Sequence, residues 1–165
     1  MMVTNRGVAA LMCGAVPLEP PENEVVSRLA RNGADGVDWQ LSFPGKGISV
    51  PLVRLYVRAA LIRAEATRCL RRADAELIGS ELATNAIQHT PCGDEGKTFT
   101  VRIQVQPGWL RLDVGALGPA DWDQPTPPDT KDESGRGLLI VKTLADKAGR
   151  FAAQGGHISW AELSW

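Results

Sequence analysis

Two short runs of alternating apolar residues limit the fold of this chain more than any other feature. The apolar positions are Phe99, Val101, Ile103 and Val105 in the first run and Leu110, Leu112, Val114 and Ala116 in the second. Successive side chains of a strand point to opposite faces, so each run predicts a strand with one buried face. Pro107-Gly108 separates the runs and predicts a tight turn. The two runs therefore form an antiparallel hairpin whose apolar side needs a covering layer.

Further strands are expected on both sides of this hairpin. Residues 37–43 alternate in the same way and stop at Pro44-Gly45-Lys46-Gly47, which predicts an edge strand. Residues 149–153 and 157–163 are separated by Gln154-Gly155-Gly156, which predicts a second hairpin at the end of the chain.

Two helices are predicted between the edge strand and the first hairpin. In the first helix Ser49 offers a cap, and apolar residues recur at helical spacing until about Leu70. The second helix begins near Asp74 and ends at Thr90-Pro91. The first helix also carries three basic residues that we interpret as a solvated face: Arg54, Arg58 and Arg63.

The second predicted helix brings polar side chains to one face. At about 100° per residue, Glu81, Asn85 and Gln88 share a narrow sector, and the far side is apolar or small. A carboxylate beside a carboxamide suits a general base next to a neutral oxygen ligand for a hard cation such as Mg²⁺. A solvated helix face is the plainer interpretation of the same residues, so the pattern has weight only together with its surroundings.

A long loop precedes a glycine-rich helix start. Residues 117–134 contain four prolines and no periodic pattern. A loop of that length within a domain is either functional or disordered. The loop ends at Gly135-Arg136-Gly137, after which apolar residues recur at helical spacing. Backbone N–H groups that open a helix favour an anion, so phosphate is one candidate ligand and an ordinary turn is the alternative.

The composition argues against some classes of partner. The chain has 165 residues, 44% of them hydrophobic, which is enough for one ordinary domain with a core. It has 18 basic and 19 acidic residues and a net charge of −1, which disfavours direct binding to nucleic acid or to an anionic membrane surface. Three widely spaced cysteines predict a reduced compartment, and the apolar run at residues 7–16 is too short to cross a bilayer. We therefore expect a cytoplasmic protein.

The folded domain is expected to begin after residue 36. Residues 1–36 combine an apolar start with a polar segment that proline and glycine interrupt, which predicts a partly disordered N-terminal extension. A short helix at residues 25–30 is the one element expected within it. Residues 37–165 hold the other predicted elements and form the domain.

These motifs in combination resemble the GHKL (histidine kinase-like) ATPase superfamily. Four motifs follow each other in the order of that superfamily. They are the helix with Glu81-Leu82-x-x-Asn85-Ala86, a strand that ends at Gly118-Pro119, a proline-rich lid, and Gly135-Arg136-Gly137-Leu138. Within it, the chain looks like the small bacterial anti-sigma regulatory factors of the serine-protein kinase type, down to the closing Trp160-Ala161-Glu162-Leu163. The likeness covers about residues 39–163.

The resemblance implies a fold and a chemistry. The fold is an α+β two-layer sandwich of the Bergerat ATP-binding type, with helices on one face of a mixed, mostly antiparallel sheet. The cofactors are ATP and Mg²⁺, with Asn85 as the Mg²⁺ ligand and Glu81 as the catalytic base that deprotonates a serine hydroxyl. The implied nucleotide contacts are Asn85, Gly118, Gly135, Arg136, Gly137 and Leu138.

The resemblance also implies partners. In that family the kinase, often a homodimer, sequesters a sigma factor and phosphorylates an anti-anti-sigma protein. It acts through protein contact, without direct contact to nucleic acid or membrane.

One position departs from the family pattern. Two residues before Gly118, where the family usually has an aspartate that accepts a hydrogen bond from the adenine amino group, this chain has Ala116. Asp113 lies three residues away along the strand and should point to the opposite face. Asp121 and Asp123 are the other candidates, both in the loop.

Three functions are therefore open. The first is an ATP-dependent serine/threonine kinase that acts on a regulatory partner, and Glu81, Asn85 and the glycine turn favour it. The second is a catalytically degenerate protein-binding module of the same fold, with weak or no nucleotide binding, and Ala116 favours it. Simple ATP hydrolysis is the third function. It is the least favoured, because a lone domain has no transducer to use the energy of hydrolysis.

Overall fold

The computed structural model describes residues 36–66, 71–118 and 136–165. Several predictions lie outside these ranges. They concern the N-terminal extension with its short helix, the proline-rich loop beyond Gly118, the loop residues Asp121 and Asp123, and Gly135.

Five strands form one sheet within the described ranges. They are β1 Val37–Pro44, β2 Thr98–Gln106, β3 Trp109–Leu117, β4 Lys147–Ala153 and β5 Gly156–Ser164. Their order across the sheet is β1-β2-β3-β5-β4, and each neighbouring pair is antiparallel. Both predicted hairpins and the edge position of β1 are confirmed. The described strands contain no parallel pair, although the resemblance allowed for a mixed sheet.

The strand register separates an apolar face of the sheet from a polar one. Val101 lies opposite Val114, and Leu112 lies opposite Ala161, so the apolar residues of the alternating runs share one face. These four side chains are buried. Neighbouring positions on the other face carry charge, as in the ion pair of Arg102 with Asp38 at 2.7 Å. The buried face is the one that the alternation predicted.

Helices cover the apolar face of the sheet. In the described ranges they are α1 Ser49–Arg63, α2 Arg72–Gln88 and α3 Arg136–Leu144. Gly79 allows α2 to approach its neighbours closely, since a Cβ there would lie 3.2 Å from Val57 of α1 and 3.8 Å from Leu112 of β3. Helix α3 packs against α2 and β4, and its Val141 belongs to the same core. The predicted α+β fold with helices on one face is confirmed.

The start of α1 differs from the sequence prediction. Ile48, rather than Ser49, occupies the cap position and forms no side-chain cap. Ser49 is fully buried, and its hydroxyl donates to the Pro44 carbonyl at 2.6 Å. The polar residue that was expected to cap the helix instead ties its first turn to the end of β1.

The end of α1 comes at Arg63, earlier than the predicted end near Leu70. Glu65 has a left-handed φ of 54°, and the N–H groups of Glu65 and Ala66 donate back to carbonyls in the last turn. This arrangement closes a helix in the way that glycine usually does. The prediction was wrong because no glycine or proline marks the end.

The three arginines of α1 are exposed, as predicted, but two of them also join α1 to α2. Arg58 donates two hydrogen bonds to the Glu76 carboxylate, at 2.9 and 2.8 Å. Arg54 donates to the Ser80 hydroxyl at 3.0 Å. The predicted solvated face therefore fits Arg63. For Arg54 and Arg58 it is only part of the role, because both also bond to α2.

Candidate functional site

Helix α2 carries the polar face that the sequence predicted. Its opposite side, with Leu82 and Ala83, is buried in the core, and this orientation leaves Glu81 half-buried. Asn85, one turn later, is only 7% exposed. Gln88 lies in the last turn and is exposed. The structure therefore encloses the first two residues of the predicted face and leaves the third in solvent.

The Asn85 carboxamide is buried without a complete set of hydrogen bonds. Its Nδ2 has no hydrogen-bond partner among the described residues. A buried donor left unpaired costs about 1 to 3 kcal/mol, and most buried polar groups in proteins are paired. Among the described residues, the Asn85 amide therefore has hydrogen-bonding capacity to spare, as a ligand-binding side chain would.

Gly137 brings the start of α3 against this part of α2. A Cβ at Gly137 would lie 2.5 Å from Glu81 Oε2 and 3.7 Å from Asn85 Oδ1. Any larger residue would have to displace the Glu81 carboxylate. Glycine at this position therefore leaves room for the Glu81 carboxylate beside the first turn of α3, close to the Asn85 amide.

The first turn of α3 contains the described part of the Gly135-Arg136-Gly137-Leu138 motif. Arg136 opens the helix and is exposed, Gly137 is buried, and Leu138 is half-buried. The first N–H groups of an α-helix have no partner within the helix, and they carry partial positive charge. Together with the Arg136 guanidinium they form a basic helix start beside Glu81 and Asn85. Gly135 lies outside the described residues.

Gly118 lies at the end of β3, close to the segment that follows α2. It has a left-handed φ of 96°, and a Cβ there would lie 3.3 Å from Cδ of Pro91. The preceding N–H, that of Leu117, donates to Sγ of Cys92 at 3.1 Å. Pro91 and Cys92 belong to the 3₁₀ turn Pro91–Gly93, which comes directly after α2. The hydrogen bond to the buried Cys92 thiol thus holds Gly118 next to the end of α2, the helix that bears Asn85.

Ala116 is buried on the helix-covered face of β3. It is 1% exposed and lies opposite His157 of β5. His157 is 2% exposed, and its Nδ1 lies 3.3 Å from the Gly118 carbonyl. Since a carbonyl only accepts, this contact places a proton on Nδ1. An imidazole therefore lies across from the position where the family usually has its aspartate.

Asp113 is on the other face of the sheet, as its spacing predicted. It lies opposite Trp160, and Arg111 donates to its Oδ1 at 2.9 Å. Arg111 also bonds to Glu162 at 3.0 Å and stacks 4.5 Å above the Trp160 ring. Burial raises the pKa of the Asp113 carboxyl, although Arg111 acts in the opposite direction. This carboxylate is part of a structural ion cluster and is remote from the Ala116 face.

Sequence reasoning missed two residues of this site, Cys92 and His157. From the sequence, Cys92 was weighed only as a metal ligand or a disulfide partner. No sequence pattern around a lone cysteine predicts that its sulfur will accept a hydrogen bond from a backbone N–H. His157 could have been found, because it follows from the register between the first hairpin and β5. That register was not predicted.

The described ranges contain neither a metal-binding cluster nor a membrane-spanning helix. No three His, Cys, Asp or Glu side chains group there as a metal-ion site. None of the helices in these ranges is long and apolar enough to cross a membrane. Mg²⁺ usually keeps several waters and binds phosphates, so one carboxamide oxygen such as that of Asn85 can be its ligand from the protein.

The helix-on-sheet fold and the contact of the glycine-opened α3 with Glu81 and Asn85 define an ATP-binding domain of the histidine kinase type. Residues 43–160 match the Histidine kinase-like ATPase domain family. The match covers more than half of the chain, so the protein belongs to this family. It includes every candidate site residue, from Glu81 to Leu138. No curated protein matches the chain.

Proposed function

We propose that the protein is an ATP-dependent serine/threonine kinase of the anti-sigma type, which controls transcription through a protein partner. The observation that carries this proposal is the buried, unpaired Asn85 amide between Glu81 and the main chain of Gly137. Family membership supplies the class of ligand, because histidine kinase-like domains bind ATP, typically with Mg²⁺.

The residues of the site are suited to this ligand. The Asn85 carboxamide offers a neutral oxygen that can coordinate Mg²⁺ and an N–H group that can donate a hydrogen bond to a phosphate oxygen. The start of α3, Arg136 to Leu138, offers backbone N–H groups and a guanidinium to the phosphates, and the main chain at Gly118 offers a second place of close approach. By resemblance, Gly135 would contact the phosphates as well. Bound ATP with Mg²⁺ supplies the phosphoryl group and neutralises its charge.

Glu81 is assigned the role of general base. Its half-buried carboxylate would accept the proton of a serine hydroxyl on the partner as that oxygen becomes the nucleophile. Contact with Gly137 keeps this carboxylate next to the phosphate-binding turn. In this role Glu81 affects transfer more than nucleotide binding.

The proposed partners are an anti-anti-sigma protein, phosphorylated on serine, and a sigma factor that the kinase sequesters. The likeness to anti-sigma regulatory factors supports this assignment, and the net charge of −1 argues against direct contact with nucleic acid. The proposed location is the cytoplasm, where sigma factors act.

A catalytically degenerate binding module is the second candidate, and Ala116 favours it. The helix-covered face of β3 has no carboxylate at this position. Loss of one charge-assisted hydrogen bond of ~1.5 to 3 kcal/mol would weaken adenine binding by roughly ten- to a hundredfold or more. Such a protein would bind its partner and leave it unmodified.

Substitutions at three positions of α2 test the kinase. Asn85→Ala should weaken Mg²⁺-dependent ATP binding by about tenfold or more. Glu81→Gln should keep ATP binding and lower phosphoryl transfer by roughly 10²- to 10⁴-fold, measured on a partner protein that co-purifies with the wild type from native cells. Gln88→Ala is the matched control on the exposed part of the same face. Calorimetry measures binding, and radiolabel from γ-phosphate measures transfer. Equal results for all three variants would refute the proposed site.

A further inference from the structure

The face of the sheet that points away from the helices is buried at its centre. We call it the outer face, and its central residues are Thr100, Gln104, Arg111, Asp113, Ile158 and Trp160. Gln104 is 0% exposed, and Arg111, whose guanidinium lies over the Trp160 ring, is only 7% exposed. A strand face that meets water has exposed side chains, and no described helix lies over this face. The cover is therefore expected from a part of the chain outside the described ranges.

The outer face also has an apolar cluster of its own. Ile158 is 1% exposed, and Leu117, Phe151 and Ala153 pack around it, separate from the main core. Small clusters of this kind usually lie beneath a long loop or chain segment. An apolar segment is therefore the cover that suits this end of the outer face.

The polar groups at the centre of the outer face can accept such a cover. Arg111 bonds to Asp113 and to Glu162, so these charges already match each other. Gln104 donates from Nε2 to Asp38 at 3.3 Å, but its buried Oε1 has no hydrogen-bond partner among the described residues. Most buried acceptors are paired, so a donor from the covering segment would complete this group.

The chain enters the domain beside the outer face. A Cβ on Gly36 would lie 3.1 Å from the Val105 carbonyl oxygen and 3.7 Å from Cγ of Gln106, whose side chain belongs to the outer face. Arg111 lies two strands further into the sheet, roughly 12 Å away. Residues 31–35 span up to about 17 Å when extended. The residues before them can therefore lie over the outer face.

The other stretches outside the described ranges are less suited to this position. Residues 119–135 join Gly118 to Arg136, and both of these lie at the candidate nucleotide site. Residues 67–70 are a short connection between α1 and α2, on the helix side of the sheet.

We propose that residues 1–35 fold back over the outer face and form a third layer of the domain. The helix predicted at residues 25–30 lies over the centre of this face. Its apolar side, formed by Val25, Val26 and Leu29, packs against the sheet, because these positions lie within about 100° of each other around a helix. The segment that precedes β1 is then part of the folded domain.

The apolar run at residues 7–16 covers the cluster around Ile158. This cluster lies one strand across and a few residues along from Arg111, roughly 14 Å away. Residues 17–24 span up to about 27 Å when extended, which is enough to join the two positions. The two apolar parts of the segment thus follow each other as the two buried regions of the outer face do.

Hydrogen–deuterium exchange of the full chain, read by mass spectrometry, tests the cover without any nucleotide. In wild type, amides within residues 25–30 should exchange at least about tenfold more slowly than in a free peptide of the same sequence. Leu29→Glu should abolish this protection and lower the urea concentration at the midpoint of unfolding, because it puts a charge against the sheet. Ser27→Glu is the matched control on the opposite side of the predicted helix and should change neither.

Two neighbouring alanines of β4 test where the segment lies. Ala153 packs on Ile158 at the outer face, whereas Ala152 is exposed and belongs to the other face of the sheet. Ala153→Glu should speed exchange within residues 7–16 by roughly tenfold, and Ala152→Glu should leave it unchanged.

Two results would overturn the proposal. One is exchange of residues 25–30 in wild type at the rate of the free peptide, and a dimeric mass by light scattering would then assign the cover to a second copy. The other is an equal effect of the two variants within either pair. None of these results depends on whether the protein binds ATP.

Discussion

At the scale of single residues, two buried polar groups without partners differ in what surrounds them. The Asn85 amide lies against a carboxylate and a main-chain glycine at the start of a helix. The Tyr56 hydroxyl is also buried and unpaired within the described ranges, but its ring packs against Trp39 and Phe43 at centroid distances of 6.0 and 5.7 Å. Polar surroundings indicate a binding role for Asn85, and apolar surroundings indicate a packing role for Tyr56.

Tyr56→Phe should therefore be harmless. The change removes a hydroxyl that has no hydrogen-bond partner among the residues the structure describes and keeps the ring, so the free energy of unfolding should stay the same or rise by up to about 1 kcal/mol. Ser49→Ala is the control, because the Ser49 hydroxyl is buried and bonded, and its removal should cost about 1 kcal/mol. Urea denaturation measures both. A Tyr56→Phe variant less stable than Ser49→Ala would show that the hydroxyl has a partner.

At the scale of secondary-structure elements, the contact between α1 and α2 depends on an ion pair that responds to pH. Glu76 is 8% exposed, and the hydrogen bonds from Arg58 lower the pKa of its carboxyl. A lowered pKa in the folded state stabilises the protein above the unfolded pKa, and this contribution is lost as pH falls through the folded pKa.

Glu76→Gln should reproduce this loss without acid. At neutral pH the variant should unfold at a lower temperature than wild type, and the difference should shrink as pH falls through the lowered pKa of the folded Glu76 carboxyl, where the wild-type carboxylate becomes protonated. Glu95→Gln is the control, since Glu95 is exposed and forms no ion pair in the described ranges. Thermal melts over a pH series measure the difference. A constant Glu76→Gln deficit down to pH 2 would contradict the linkage.

The elements were predictable from the sequence where a local pattern specifies them. Alternation gave both hairpins, and helical spacing placed Glu81 and Asn85 on one face, because both patterns depend on residues close in the chain. The end of α1 was mispredicted, since Glu65 takes a conformation that its residue type does not signal. Two features of the site depend on tertiary packing: the closeness of Gly137 to Glu81, and the hydrogen bond from the Leu117 N–H to the Cys92 sulfur. No pattern of residues close in the chain could predict them.

At the scale of the whole molecule, ligand binding and folding stability are linked. A ligand that binds only the folded state raises its stability by about 2.7 kcal/mol when its concentration is a hundred times the dissociation constant. The kinase and the degenerate module therefore differ in a global property. ATP should stabilise the whole domain of a kinase strongly and that of a degenerate module weakly or not at all.

Ala116→Asp connects this global property to one position. The new carboxylate would lie on the helix-covered face opposite His157, so the ligand-free variant should be less stable than wild type because a buried charge is costly. If base recognition is the missing part of the site, ATP should bind the variant roughly ten- to a hundredfold more tightly than wild type.

Guanine nucleotide provides the control for this variant, because it lacks the amino group that the carboxylate would read and should gain nothing. Calorimetry gives the affinities, and melts with and without nucleotide give the linked stabilisation. Micromolar, adenine-selective binding by wild type would show that another group reads the base, and His157, opposite Ala116, would be the first to examine. If neither protein binds a nucleotide while the partner still binds, the domain acts through protein contact alone, and the buried Asn85 amide is then a remnant of a lost site.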